Sequence, residues 1–95
     1  PSGLTVITDR MPTVATATLG FWLGVGARNE PGDASGVAHL VEHMLFKGTP
    51  TRDVYKIATE LEDVGAILNA HTGKEETAYY CKLLAEDAER GIDIY

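Results

Sequence analysis

Hydrophobic residues in this chain recur with two different periods. Between residues 14 and 25, Ala15, Ala17, Leu19, Phe21, Leu23 and Val25 share one side of an extended chain. Thr16, Thr18, Gly20, Trp22 and Gly24 share the other, which predicts a strand with one core face. A shorter β-rich run, Leu4-Thr5-Val6-Ile7-Thr8, precedes it and is ended by a turn at Asp9-Arg10-Met11-Pro12. Residues 66–72 and 77–84 read as two further strands, and Gly73-Lys74 between them makes the pair a hairpin. The helical period governs residues 53–64, where Val54, Ile57, Ala58, Leu61 and Val64 line one face before Gly65 closes the helix. It returns in residues 87–95.

The most apolar helix lies between them. Glu30-Pro31-Gly32-Asp33 reads as a turn, after which Asp33 or Ser35 is placed to cap a helix by accepting from its first-turn amides. The stop is well marked: Lys47 suits the negative end of the dipole, Gly48 permits a left-handed residue, and Pro50 prevents continuation. Wound at 3.6 residues per turn, Gly36, His39, Glu42, His43 and Phe46 form one stripe, and Val37, Ala38, Leu40, Val41, Met44 and Leu45 cover the rest. A helix apolar on all but one stripe is expected to be buried, with partners for its polar groups.

That stripe carries the candidate chemistry. In His39-Leu40-Val41-Glu42-His43 the two imidazoles stand one helical turn apart on the same face, with a carboxylate beside them. Neutral imidazoles are zinc ligands, and a catalytic zinc takes three protein ligands and leaves a position open. A neighbouring carboxylate then serves as base for the attacking water. The spacing therefore assigns His39 and His43 to Zn2+ and Glu42 to proton transfer. The competing reading is of histidines satisfied within a core or cleft; at this composition an accidental His-x-x-Glu-His is expected in under about one chain in a hundred of this length, which favours the metal.

The order His-x-x-Glu-His is the inverzincin signature. The stretch Gly-Val-Ala-His-Leu-Val-Glu-His-Met-Leu-Phe-Lys-Gly-Thr-Pro-Thr from Gly36 to Thr51 closely resembles the pitrilysin/insulinase family of zinc metallopeptidases, especially its mitochondrial-processing-peptidase-like branch. Leu68-Asn69-Ala70-His71-Thr72, followed by Glu76-Thr77-Ala78-Tyr79-Tyr80, resembles the same family's active-site edge strand. The resemblance implies an α+β fold, a mostly antiparallel sheet with helices packed on one face. It makes residues 1–95 the amino-terminal part of a single metallopeptidase domain. It also implies that Asn69, Ala70, His71 and Thr72 bind a peptide substrate as an added β-strand. The family commonly has an aromatic residue where this chain has His71. A third zinc ligand, a glutamate roughly 75 to 80 residues after His43, is expected beyond Tyr95. An arginine and a tyrosine are expected from a second homologous half or subunit. The resemblance implies a bacterial cytoplasm or a mitochondrial matrix as the compartment.

Composition narrows the partners. Eight basic against fourteen acidic residues give a net charge of −6, which disfavours nucleic acid and anionic membranes and suits neutral or basic peptides. No apolar run approaches the ~20 residues that span a bilayer. Ninety-five residues, 44% of them hydrophobic, suffice for one small core. The absence of a starting methionine and the unterminated last helix predict a piece of a larger chain. The single Cys81 is expected to be a packed thiol. Gly24-Val25-Gly26 lacks the third glycine of a dinucleotide loop, so a bulge or close backbone approach is expected there. Glu60, Glu62 and Asp63 read as a solvated face, and His71 as a surface or pocket-lining side chain in preference to a third metal ligand. Two other functions share these features: a non-catalytic core subunit of the same fold and a metal-free peptide-binding module. Retention of both histidines and the glutamate favours the enzyme.

Overall fold

The computed structural model describes residues 2–95. Three strands form an antiparallel sheet: β1 (Thr16–Leu23), β2 (Ile67–Thr72) and β3 (Thr77–Leu84), in the order β1-β3-β2. Three helices accompany it: α1 (Val37–Leu45), α2 (Val54–Glu62) and α3 (Ala88–Ile94). The sheet is α+β in the expected sense, and its central strand is the β-branched and aromatic run that ends the predicted hairpin.

Register decides which side chains meet. Leu19, Cys81 and Leu68 lie in one row across the sheet, and Phe21, Tyr79 and Ala70 in the next. Leu23, Thr77 and Thr72 form the third. These rows face the helices. Leu61 of α2 packs with Ala66, Cys81 and Leu83, and Leu19, Leu68, Ala88, Ile94 and Tyr95 close around them. Cys81 is the packed thiol that composition suggested, fully buried and with its ionisation pushed up by that burial. Helix α3 comes close enough that Gly91 lies against Leu19 and Leu83, and Tyr95 stacks on Phe21 at 5.8 Å. Asp53 caps α2 by accepting from the Lys56 amide at 2.7 Å, and Gly65 ends it with φ +71°. Arg52 ties α2 to α3 through Glu60 at 3.1 Å and Asp93 at 2.6 Å. Of the acidic residues at the end of α2, Glu62 and Asp63 are exposed, in agreement with the solvated reading, and half-buried Glu60 pairs with Arg52 and Lys56.

Three expectations are corrected. Residues 4–8 form no strand, and Leu4, Val6 and Ile7 are exposed. Among the described residues no strand pairs with them, and β composition without a ladder partner leaves backbone groups to water. The second strand is shorter than residues 14–25, because pairing with β3 runs only from Thr16 to Leu23. Helix α1 is not buried: Leu40, Val41, Met44 and Leu45 are 47–58% exposed. One sheet face covers only one side of a helix, so the apolar back of α1 has no covering layer among the described residues.

Candidate active site

Helix α1 starts from Gly36, which takes φ +91° where a side chain would be strained. Its first-turn amides are held neither by Asp33 nor by Ser35, contrary to expectation. Glu30 does it instead: Oε2 accepts from the Gly36 amide at 2.7 Å and Oε1 from the Ala38 amide at 2.8 Å. These two backbone bonds hold the Glu30 carboxyl below its ordinary range. The turn that delivers Glu30, Ala27–Asn29, is pinned in its turn to the β2–β3 hairpin. The Ala27 amide donates to Gly73 O at 3.0 Å and the Arg28 amide to Lys74 O at 2.8 Å. Arg28 also pairs with Glu75. Gly26 explains the glycine pair flagged in the sequence: a Cβ there would stand 2.6 Å from Gly73 O and 2.7 Å from the Lys74 carbonyl carbon. Close backbone approach is what its lack of a side chain permits.

On the exposed stripe of α1, the Nε2 atoms of His39 and His43 are 3.1 Å apart, with ring centroids at 4.6 Å. Two imidazoles bound at about 2.0–2.1 Å to one tetrahedral ion stand about 3.3 Å apart, so the pair fits zinc with little movement. Among the described residues no group of three His, Cys, Asp or Glu side chains is placed to hold a metal. Glu42 turns toward the sheet, where its Oε2 accepts from the hydroxyl of Thr72. Tyr79 lies close by; burial first, and the Glu42 charge second, push its phenol up.

Strand β2 divides the four residues of the edge. Ala70 and Thr72 occupy the rows that face the helices, and Asn69 and His71 the opposite face. His71 there lies 3.7 Å from Glu76 and edge-on to Tyr80 at 6.3 Å. The sheet separates it from His39 and His43, so it is no third ligand. Strand β2 is the sheet's end strand, and the Ala70 amide, which bonds no strand, is taken by the Asn69 side chain at 2.9 Å. The sequence reading missed Glu30 as the cap and Thr72 as a partner of Glu42. An acidic residue shortly before a helix is a signal for the first; the second depends on register and had none.

The family model described as insulinase, peptidase family M16, matches residues 5–95. The chain belongs to that family. An uncharacterized zinc protease of Mycobacterium tuberculosis is 46% identical over 94 residues, covering 99% of this chain and 22% of that protein. The β subunit of the mitochondrial-processing peptidase of Blastocladiella emersonii is also 46% identical over 94 residues, covering 99% and 20%. In the solved structure of a protease from Helicobacter pylori the fold recurs with a TM-score of 0.80 at 26% identity, over 84% of this chain and 19% of that one. This M16 chain therefore spans about a fifth of the length of the curated relatives it matches. Those relatives are named as zinc proteases and processing peptidases, of bacterial and mitochondrial kinds.

Proposed function

We propose that this chain supplies the metal-binding helix and the substrate edge of a zinc-dependent endopeptidase. The observation that carries the reading is the geometry of α1: two imidazole nitrogens 3.1 Å apart, with Glu42 on the same helix turned to the neighbouring strand. His39 and His43 would hold the zinc ion, with a third ligand from outside the described residues. Bound there, zinc supplies Lewis acidity toward the scissile carbonyl. Glu42 acts as the base. Thr72 occupies its Oε2, which leaves Oε1 to take the proton of the attacking water and to hand it on to the leaving amine.

The peptide lies along β2 as an added strand, displacing the Asn69 side chain so that the outward amide of Ala70 donates to it. Main-chain bonding of this kind holds many sequences, so the substrate class is peptides or unfolded segments. The exposed back of α1 supports further protein above it, whether the rest of its own domain or a second homologous half or subunit. A bacterial cytoplasm and a mitochondrial matrix both suit the reading.

The test uses the full-length, zinc-loaded protein. Glu42→Gln keeps shape and imidazoles, so zinc content is expected to stay while peptide cleavage falls at least about a hundredfold, the scale of a lost general base. Near-normal turnover would remove Glu42 from the chemistry. Ala70→Pro removes the outward donor, and cleavage is expected to fall about tenfold with zinc retained. Unchanged kinetics in that variant would move the substrate off β2.

A further inference from the structure

The helix that carries His39, Glu42 and His43 is poorly fixed by packing. An open apolar groove of about 260 Å³ runs alongside it, lined among others by Leu23, Val25, Val37, Ala38, Val41 and Tyr79. No residue of α1 is buried. Interiors that hold an element in one position are close-packed, so a helix with no buried residue, flanked by an open groove, takes its tilt from something else. The polar contacts are that something. They form a chain from the hairpin through residues 26–30 to the first turn of α1. The Gly73 and Lys74 carbonyls accept from Ala27 and Arg28, and Asn29 Oδ1 closes the turn by accepting from the Gly26 amide at 3.0 Å. Glu30 then holds Gly36 and Ala38 with both carboxylate oxygens. Where the strap leaves β1 it is tied once more, by the Thr77 hydroxyl donating to Val25 O at 2.8 Å. Both ends of this chain matter to the site, because the hairpin carries β2 and the helix carries the base.

We propose that Glu30 is a positioning residue for peptide cleavage: through its two bonds to α1, and through the strap 26–30 anchored on the hairpin, it sets the distance between Glu42 and a peptide lying on β2. The proposal rests on the endopeptidase reading above. Glu30 touches neither metal ligand nor substrate edge, so its effect is on the geometry of attack. A carboxylate bonded to two amides fixes two points of the first turn at once, whereas a single-oxygen cap leaves the helix free to pivot about one. Glu42 stands one turn further along the same helix than Ala38, so a pivot there displaces the base relative to Thr72.

The experiment compares Glu30→Ala and Glu30→Gln with Arg52→Ala in the full-length, zinc-loaded protein. Arg52→Ala removes the tether between α2 and α3 and none of the bonds of the strap, and serves as a structural control. kcat, KM, zinc per chain and the urea midpoint are read at a temperature where each variant is folded. Glu30→Ala is expected to lower kcat by about ten- to a hundredfold, the scale of an ångström-sized misplacement, with KM within about threefold and zinc unchanged. Glu30→Gln keeps one acceptor oxygen and is expected to fall between Glu30→Ala and the wild type. Arg52→Ala is expected to lower the midpoint and leave kcat within about twofold. Wild-type kcat in folded Glu30→Ala overturns the proposal, as does an equal loss of kcat in Arg52→Ala. Should Glu30→Ala not fold, Glu30→Gln decides by the same criterion. The endopeptidase reading is judged separately by Glu42→Gln, so its failure is not confused with that of Glu30.

Discussion

Replacing Thr72 by Val tests whether the edge strand contributes a side chain to the base as well as main chain to the peptide. The change is isosteric. It deletes one hydroxyl that donates to Glu42 Oε2 and leaves strand β2 its backbone pairing with β3. A hydrogen bond to a charged group is worth about 1.5–3 kcal/mol when buried, and the partly exposed setting of this one brings it to about 1–1.5 kcal/mol. At 1.36 kcal/mol per decade that predicts a fall in kcat of about five- to thirteenfold. KM should stay within about twofold, because the hydroxyl is engaged with the base and not with the peptide. Thr72→Ser should recover most of the loss. The assay is steady-state cleavage of a fluorogenic peptide by zinc-loaded full-length protein, with metal content measured on the same samples. A Val variant with wild-type kcat would refute the orienting role, and one whose KM alone rises would make Thr72 a substrate contact.

Gly91→Ala should destabilise, although alanine is the better helix former. Its Cβ would stand 2.8 Å from Leu19 Cδ1 and 3.0 Å from Leu83 Cδ2, and overpacking of about 1–3 kcal/mol exceeds the roughly 1 kcal/mol gained from helix propensity. A raised urea midpoint would contradict this packing argument. Stability should also have two titrating limbs. Tyr95, raised by burial to about 12 and donating to Tyr80 O at 2.8 Å, supports the fold fully below about pH 10 and loses that support as pH rises toward the folded value; Tyr95→Phe should flatten this alkaline limb of the unfolding midpoint. Glu30, lowered from 4.5, contributes above that value and loses its contribution as pH falls through the depressed folded pKa, so Glu30→Gln should flatten the acid limb.

Local chemistry was readable in the sequence, and long-range closure was not. The end of α2 at Gly65 and the hairpin at Gly73 each depend on residues within one turn of the event, and each stands where the pattern put it, whereas α1 stops at Leu45 with Phe46 as its cap, so that Lys47 lies past its last turn and Gly48 belongs to the turn that follows. The spacing of His39, Glu42 and His43 needs only a helix. Residues 4–8 failed because a strand is a pairing and not a composition. Burial of α1 failed for a similar reason: an apolar back predicts a covering layer without supplying one. Adjacent residues in a strand cannot share a face, so His71 and Thr72 were bound to part company. Which of them would meet Glu42 was set by the position of α1 over the sheet. The capping of α1 was misplaced because Glu30 lies six residues before Gly36 and reaches it only when the strap folds back on the hairpin.

The strap also accounts for a glycine that backbone conformation does not require. Gly26 has φ −147°, which any residue adopts, and its neighbours Gly73, Lys74 and Glu75 present backbone atoms that no rotamer change can move aside. The sequence has placed its smallest residue where two main chains must come within hydrogen-bonding reach, and the two bonds from Ala27 and Arg28 are formed on that contact. A site assembled from a helix and a strand that touch through few buried side chains needs such a connection. The connection acts through carbonyls, amides and one carboxylate, whose directions are strict where apolar contacts are tolerant. It can therefore hold His39, Glu42 and His43 in register with β2 even while the outer face of α1 is bare. What then covers that face adds burial and stability to a helix whose placement over the edge strand is already determined.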